Sequence, residues 1–191
     1  MTHNLDIYYF INKFNISELK ALDSNIKIIF RNYEEGNLEP VIRNLASFCK
    51  KNNRKLFISN NLRLALKYDL DGLYIPSFIK LINFKNLSLR KSFKLIGSAH
   101  NLNEIKIKEK QGCEEIFLSP IFYNPKNKYY LDIIKFNNLA LNTNLKIIAL
   151  GGINSFNFKK IKLTKSCGFG GISIFRKDKK KAPLKKGALN F

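Results

Sequence analysis

Short apolar runs recur along this chain, separated by polar stretches with helical spacing. The runs are LDIYYFIN (5–12), IKIIFRN (26–32), KLFISN (55–60), DGLYIP (71–76), FKLIGSA (93–99), EIFLSPIF (115–122), LKIIALGG (145–152) and GFGGISIF (168–175). Several are continuously apolar instead of alternating. That is the pattern of strands buried on both faces, as in a parallel sheet covered by helices. Segments 16–23, 38–53, 62–69, 101–112, 131–142 and 154–168 read as helical, with a linking segment before the fifth run. Val41, Leu45 and Phe48 recur at helical spacing and predict an inner stripe. Asn101 followed by Glu104 resembles a capping box, and Gly112 ends the same helix as a C-cap.

Eight such β/α units predict a closed (β/α)8 TIM barrel of the α/β class, with strand ends and following loops carrying the chemistry. An open doubly wound sheet is the rival. At 191 residues the chain is shorter than the roughly 250 typical of this barrel, so loops and helices must be compact. The last helix is predicted to be weak or missing, because KDKKKAPLKKGALNF holds Pro183 and Gly187. The expected organisation is one barrel domain over 1–176 and a basic C-terminal tail over 177–191.

Composition narrows the function. Hydrophobic residues make up 45% of the chain, ordinary for a globular protein. No apolar run reaches the roughly 18 residues of a membrane span, and the N-terminus shows no secretory pattern. Cys49, Cys113 and Cys167 are far apart and form neither a metal pattern nor a disulfide framework. These features predict a reducing, cytoplasmic location. Lys plus Arg is 34 against 14 Asp plus Glu, a net charge of +20. Such a balance suits an anionic partner, either nucleic acid or phosphorylated small molecules. It also fits a chain generally rich in Lys, Asn and Ile, whose lysines are spread instead of gathered. The aromatics Tyr8, Phe30 and Phe117 lie inside strand runs, which argues for core packing and against a nucleic-acid surface.

The pair Gly151–Gly152 follows the seventh run. In barrels, phosphate groups are often held by the loops after strands seven and eight. Bare glycine amides and a following helix start, with Asn154 as its cap, would favour an anion there. The alternative is a turn that simply needs positive φ.

Six stretches carry a family likeness in order and spacing: IIFRN, LFISNNLRLAL, LIGSAH, LSPIF with Lys128 after it, IIALGGI and GFGGISIF. Together they resemble the thiamine phosphate synthase/TenI family of barrels, up to about residue 176. The resemblance implies a transferase of thiamine biosynthesis that joins a pyrimidine methyl diphosphate to a thiazole phosphate, by loss of diphosphate and capture of the pyrimidine cation. It implies that Arg31 contacts diphosphate, Ser98 contacts substrate and Lys128 binds diphosphate oxygens. Gly151, Gly152 and the backbone near Phe175 and Arg176 would hold the thiazole phosphate. His100 occupies a family histidine position, as an acid or base or as a loop-positioning group. Asn60 lies at a further site position. Arg31 could alternatively form a rim ion pair with Glu34 or Glu35, and Lys128 could be one solvated lysine among many.

The departures are specific. The family implies magnesium, but its carboxylate positions after strands three and four are Ser59–Asn60 and the YIPSFIK stretch, and Tyr33 stands where a lysine is usual. Glu34 or Glu35 could substitute as a ligand. IPS at 75–77 resembles the TenI branch, whose tautomerase histidine is replaced here by Pro120. The readings left open are therefore a synthase-like enzyme, a TenI-like or non-catalytic thiazole-phosphate-binding protein, and a basic nucleic-acid binder. The expected partners are thiazole phosphate and pyrimidine diphosphate, with no membrane; a homo-oligomer is left open.

Overall fold

The computed structural model describes residues 5–34, 36–81, 84, 87–125 and 129–176. Eight parallel strands close into a barrel: β1 (Asp6–Ile11), β2 (Lys27–Phe30), β3 (Leu56–Ser59), β4 (Gly72–Ile75), β5 (Lys94–Ala99), β6 (Glu115–Leu118), β7 (Lys146–Leu150) and β8 (Gly168–Gly171). Each falls within one predicted run. Closure is made by β1 against β8, in register from Asp6 opposite Gly168 to Tyr9 opposite Gly171. That pairing excludes the open sheet.

Around the barrel lie α1 (Ile16–Lys20), α2 (Glu39–Lys51), α3 (Leu62–Lys67), α4 (Leu102–Gln111), α5 (Asp132–Ala140) and a 3-10 helix over Phe158–Leu163. Among the described residues no helix joins β4 to β5. The expectations for the last helix and the 177–191 tail fall outside the described residues. Among those described, no helix is long and apolar enough to cross a membrane.

The continuous apolar runs are explained by two separate cores. Inside the barrel, Tyr8, Phe10, Ile29, Phe57, Tyr74, Ile96, Phe117 and Ile148 form one cluster. The alternate residues, such as Ile7, Tyr9, Ile28 and Phe30, point outward into the layer under the helices. Period-2 geometry sends neighbours to opposite faces, and here both faces are dry. On α2 the inner stripe is Ile42, Leu45 and Cys49. Val41 and Phe48, expected in it, flank it and are only partly buried. The spacing was helical, but several adjacent positions are apolar and packing chose the stripe. On α4, Asn101 Oδ1 accepts from the Glu104 amide at 3.0 Å, and Gly112 ends the helix at φ +87. Glu104 reaches back to the amide of His100 at 2.8 Å, one residue beyond the usual capping-box partner.

Buried charges tie the layers together. The Arg54 guanidinium donates to the carbonyls of Leu19, Leu22, Asp23 and Ile26, closing off the end of α1 and the turn after it. At the base of the barrel, fully buried Glu115 accepts from Tyr8 and from Lys94, the latter at 2.7 Å. Lys108 on α4 is also fully buried. Its ammonium donates to the Pro76 carbonyl (2.7 Å), the Ile79 carbonyl (2.8 Å) and Gln111 Oε1 (2.9 Å), so it pins the loop after β4.

Burial pushes Lys108 down to about 8 from 10.5. Between those values the unfolded chain keeps the proton that the folded chain has released. The unfolded state then binds more protons, and stability rises with pH across that window. Chemical denaturation from pH 8 upward should show the wild type gaining on Lys108→Met by on the order of 1–3 kcal/mol. A constant difference would show that the amine does not titrate there.

Candidate functional site

The mouth of the barrel, where strands end, carries the site. Arg31 follows β2, and its amide donates to the Ile11 carbonyl at 2.7 Å, which fixes the root of its side chain. The guanidinium lies over the Phe10 ring, 5.2 Å from the centroid, a cation–π placement. Phe10 in turn packs edge-on against Phe117 (5.0 Å) and Tyr74 (5.3 Å). Arg31 is thus the cap of an aromatic column running down the barrel. Among the described residues no ion pair joins it to a carboxylate.

Two lobes open at the mouth, of about 290 and 390 Å³. Phe10, Arg31 and Ile172 line both, so Arg31 stands in the partition. The smaller lobe is lined by His100, Pro120, Gly151, Gly152 and Ser173 among others. The larger is lined by Asn12, Asn32, Tyr33, Glu34 and Arg176. Together they reach the size range of small-molecule sites, roughly 300–1,000 Å³.

The glycine pair has a steric cause independent of any ligand. Gly151 and Gly152 sit at φ +90 and +71. A Cβ on Gly151 would lie 2.7 Å from Pro120 Cβ, and one on Gly152 only 2.2 Å from the Phe122 carbonyl oxygen. The loop after β6 crosses directly over this turn, and only bare backbone admits it. Both glycines also line the smaller lobe, together with Gly170 and Gly171. Gly152→Ala combines a left-handed φ with a clash against backbone, so a loss of about 2 kcal/mol or more is expected in thermal unfolding. An unchanged melting temperature would mean the crossing loop yields freely.

Asn154 does organise the segment behind the glycines. Its Oδ1 accepts from the amides of Phe156 (2.9 Å) and Asn157 (3.2 Å). Asn157, the residue ahead of the 3-10 helix, donates from its side chain to the Gly152 carbonyl at 2.8 Å. The helix expected there is a six-residue 3-10 turn, so little aligned dipole stands behind the lobe.

The remaining expected residues are distributed unevenly. His100 lines the smaller lobe with its Nδ1 held 2.8 Å from Glu104 Oε2. Ser98 is buried inside the barrel, where its Oγ accepts from the Tyr74 hydroxyl at 3.0 Å. Burial raises the Tyr74 pKa, with Ser98 and Arg31 acting in the opposite sense. Ser98 therefore lies in the layer under Arg31. Phe175 is buried, stacked on Phe169 at 6.1 Å and tilted against Tyr9. The amides of Phe175 and Arg176 donate to Ile172 and Ser173 within a turn. The Arg176 side chain lines the larger lobe, across the partition from the glycine pair, and interacts with the Tyr9 hydroxyl and Glu18. Asn60 lines neither lobe; it sits at φ +53 with its amide bonded to the Tyr74 carbonyl at 3.0 Å. Lys128 and Glu35 lie outside the described residues.

Tyr33 and Phe78 were legible only as departures from a pattern. The Tyr33 hydroxyl bonds Ser59 Oγ at 3.0 Å, and its ring meets that of Phe78 at 5.8 Å. The strand ends expected to supply metal ligands thus present a phenol, an alcohol and a phenyl ring. These are poor donors for magnesium, which takes charged oxygens in a near-octahedral array. Among the described residues no group of three His, Cys, Asp or Glu side chains is placed to hold a metal. Of the two carboxylates that could substitute, Glu34 lines the larger lobe beside Tyr33, and Glu35 falls outside the described residues.

Comparison with known proteins places this geometry in a lineage. Two thiamine-phosphate synthases of Prochlorococcus marinus strains are 35% identical over 129 residues and 32% identical over 152 residues. These alignments cover 63% and 75% of this chain but only 35% and 42% of those proteins, so the chain spans less than half their length. A putative thiamine-phosphate synthase of Aquifex aeolicus is 26% identical, covering 76% of this chain and 78% of its own. The solved thiamine phosphate pyrophosphorylase of Pyrococcus furiosus shares the fold, with a TM-score of 0.69 at 17% identity over 91% of this chain and 88% of that one. The sequence profile described as thiamine monophosphate synthase (TMP-TENI) matches residues 15–177, nearly all of the barrel, and the chain belongs to that family.

Proposed function

We propose that this protein is a thiamine phosphate synthase-type transferase, with both substrates meeting at the two-lobed mouth. The observation that carries the reading is the position of Arg31, which lines both lobes at once. In the transfer, the bond between the pyrimidine methylene carbon and the diphosphate oxygen breaks, and its electron pair leaves with diphosphate. The thiazole nitrogen then donates its lone pair to the methylene cation, forming the carbon–nitrogen bond of thiamine phosphate.

The chain's own part is to place charge and exclude water. Negative charge grows on the leaving oxygen, and a permanently charged planar guanidinium fixed over Phe10 stabilises it with no reorganisation at the moment of reaction. The glycine-floored lobe suits the phosphate of the thiazole, because backbone can approach it closely. Phe10 and Ile172 present an apolar wall to the cation. Arg176 adds positive charge to the larger lobe.

The test is direct. The full chain is incubated with pyrimidine methyl diphosphate and thiazole phosphate, with and without magnesium, and thiamine phosphate and diphosphate are measured. Equal amounts of both products support the reading. Saturable binding of thiazole phosphate with no product in either condition would overturn it.

A further inference from the structure

Glu104 is committed to one neighbour. Its Oε2 accepts from the His100 amide and bonds the His100 Nδ1, both at 2.8 Å. The start of α4 is already capped by Asn101, so the second of these bonds serves the ring and not the helix. A carboxylate only accepts, so Nδ1 carries a proton and Nε2 is the edge left for other partners. Among the described residues none bonds that nitrogen. The side chain is 44% exposed and lines the smaller lobe.

The charges around this ring are few. Of the described side chains lining the smaller lobe, only Arg31 and His100 can be charged; Ser119, Asn124 and Ser173 are neutral. Arg31 is shared with the larger lobe, where the other substrate's diphosphate must also be met, whereas His100 lines the smaller lobe alone. Arg31 opposes a second cation beside it, and Glu104 behind the ring favours one. On α4 the buried ammonium of Lys108 also lies within the field of Glu104. A phosphate dianion entering the lobe tips this balance toward the imidazolium, and imidazole is the side chain that changes charge near neutral pH.

Resting on the reading that this lobe takes the phosphate of the thiazole, we propose that His100 is an anion contact that gains a proton from solvent as the phosphate binds. Its Nε2–H then donates to a phosphate oxygen, and Glu104 is the positioning residue that aims the ring and supports its charge.

Calorimetric titration of the full chain with thiazole phosphate tests this, in two buffers of different protonation enthalpy. At about pH 7.5 a phosphate monoester is already a dianion, its second pKa being about 6, so uptake reports on the protein. The wild type should take up roughly half a proton or more per ligand, and His100→Gln close to none. His100→Gln should bind about tenfold more weakly at about pH 6.5, the loss shrinking as pH rises, because the imidazolium is the form that binds. Ligand titration is common to both proteins and cancels in that ratio. Glu104→Gln keeps an acceptor but loses the charge, and should take up less proton and lose its advantage over His100→Gln at a lower pH.

Nitrogen NMR of the wild type needs no variant. The chain has two histidines, and the ring signals of one should move toward imidazolium when ligand is added at constant pH. Thiazole phosphate binding without proton uptake or ring shift overturns the proposal and leaves the transferase reading intact. A loss in His100→Gln that is equal at every pH marks a structural residue and also overturns it. Uptake in Glu104→Gln equal to wild type removes Glu104 from the role. If inorganic phosphate binds with uptake that His100→Gln abolishes, and thiazole phosphate does not bind, the transferase reading fails while the anion contact stands. Binding of neither probe overturns both.

Discussion

Replacing Arg31 by alanine is expected to lower the rate of thiamine phosphate formation by about 100- to 1,000-fold, the usual effect of removing one preorganised charge-stabilising donor. The loss should fall mainly on kcat, because the interaction strengthens as negative charge accumulates on the departing diphosphate. Arg31→Lys should recover only a small part of it. An ammonium keeps the charge but loses the planar two-pronged donor and much of the stacking over Phe10. Circular dichroism should show both variants folded, since Arg31 caps the aromatic column instead of filling it. Steady-state kinetics with both substrates decides the matter. A fall of less than about tenfold in Arg31→Ala would remove this residue from the chemistry and with it the main support for the proposed reaction.

The largest stability effect is expected at Phe117. This ring is fully buried at the centre of the barrel and touches Tyr8, Phe10 and Tyr74 at 5.1, 5.0 and 6.0 Å. Phe117→Ala leaves a cavity that a closed ring of strands cannot collapse, because each strand is held by two neighbours. A loss of about 3–5 kcal/mol follows, or roughly 6–20 °C in melting temperature for a chain of this size. Phe117→Leu, which keeps most of the volume, should cost well under half of that. Turnover in Phe117→Ala at a permissive temperature should also fall, because Phe10 loses its support and Arg31 stands on Phe10. A melting temperature within about 2 °C of wild type would show that the barrel interior relaxes around the gap.

These two positions illustrate what could be read before the fold was known. Arg31 was legible because it follows an apolar run at a strand end and matches a family pattern. Its partners were not, since Phe10 lies one strand away and Tyr74 two, and nothing local marks them as its neighbours. Ser98 was expected at substrate, but its hydroxyl is engaged by Tyr74 below the mouth. The side-chain direction at the end of β5 depends on where the strand leaves the barrel, which no short window encodes. Phe175 and Arg176 were read as one feature. The turn after β8 sends the first into the core and the second to the far lobe. Tyr33 stood out only as a residue of the wrong type, and its meaning came from Ser59 and Phe78, 26 and 45 positions further on.

The sequence alone determined the eight strands, their order and their burial on both faces, because those follow from local composition and a period of two. It also determined the caps at Asn101 and Gly112, where the needed partners lie within four residues. Only the tertiary structure decided closure, since β1 and β8 are about 160 residues apart and their pairing is set by the curvature accumulated over all the strands between. The partition at Arg31, the crossing loop that demands Gly151 and Gly152, and the aromatic corner at Tyr33 follow from that closure. Each depends on which loops the ring of strands brings face to face.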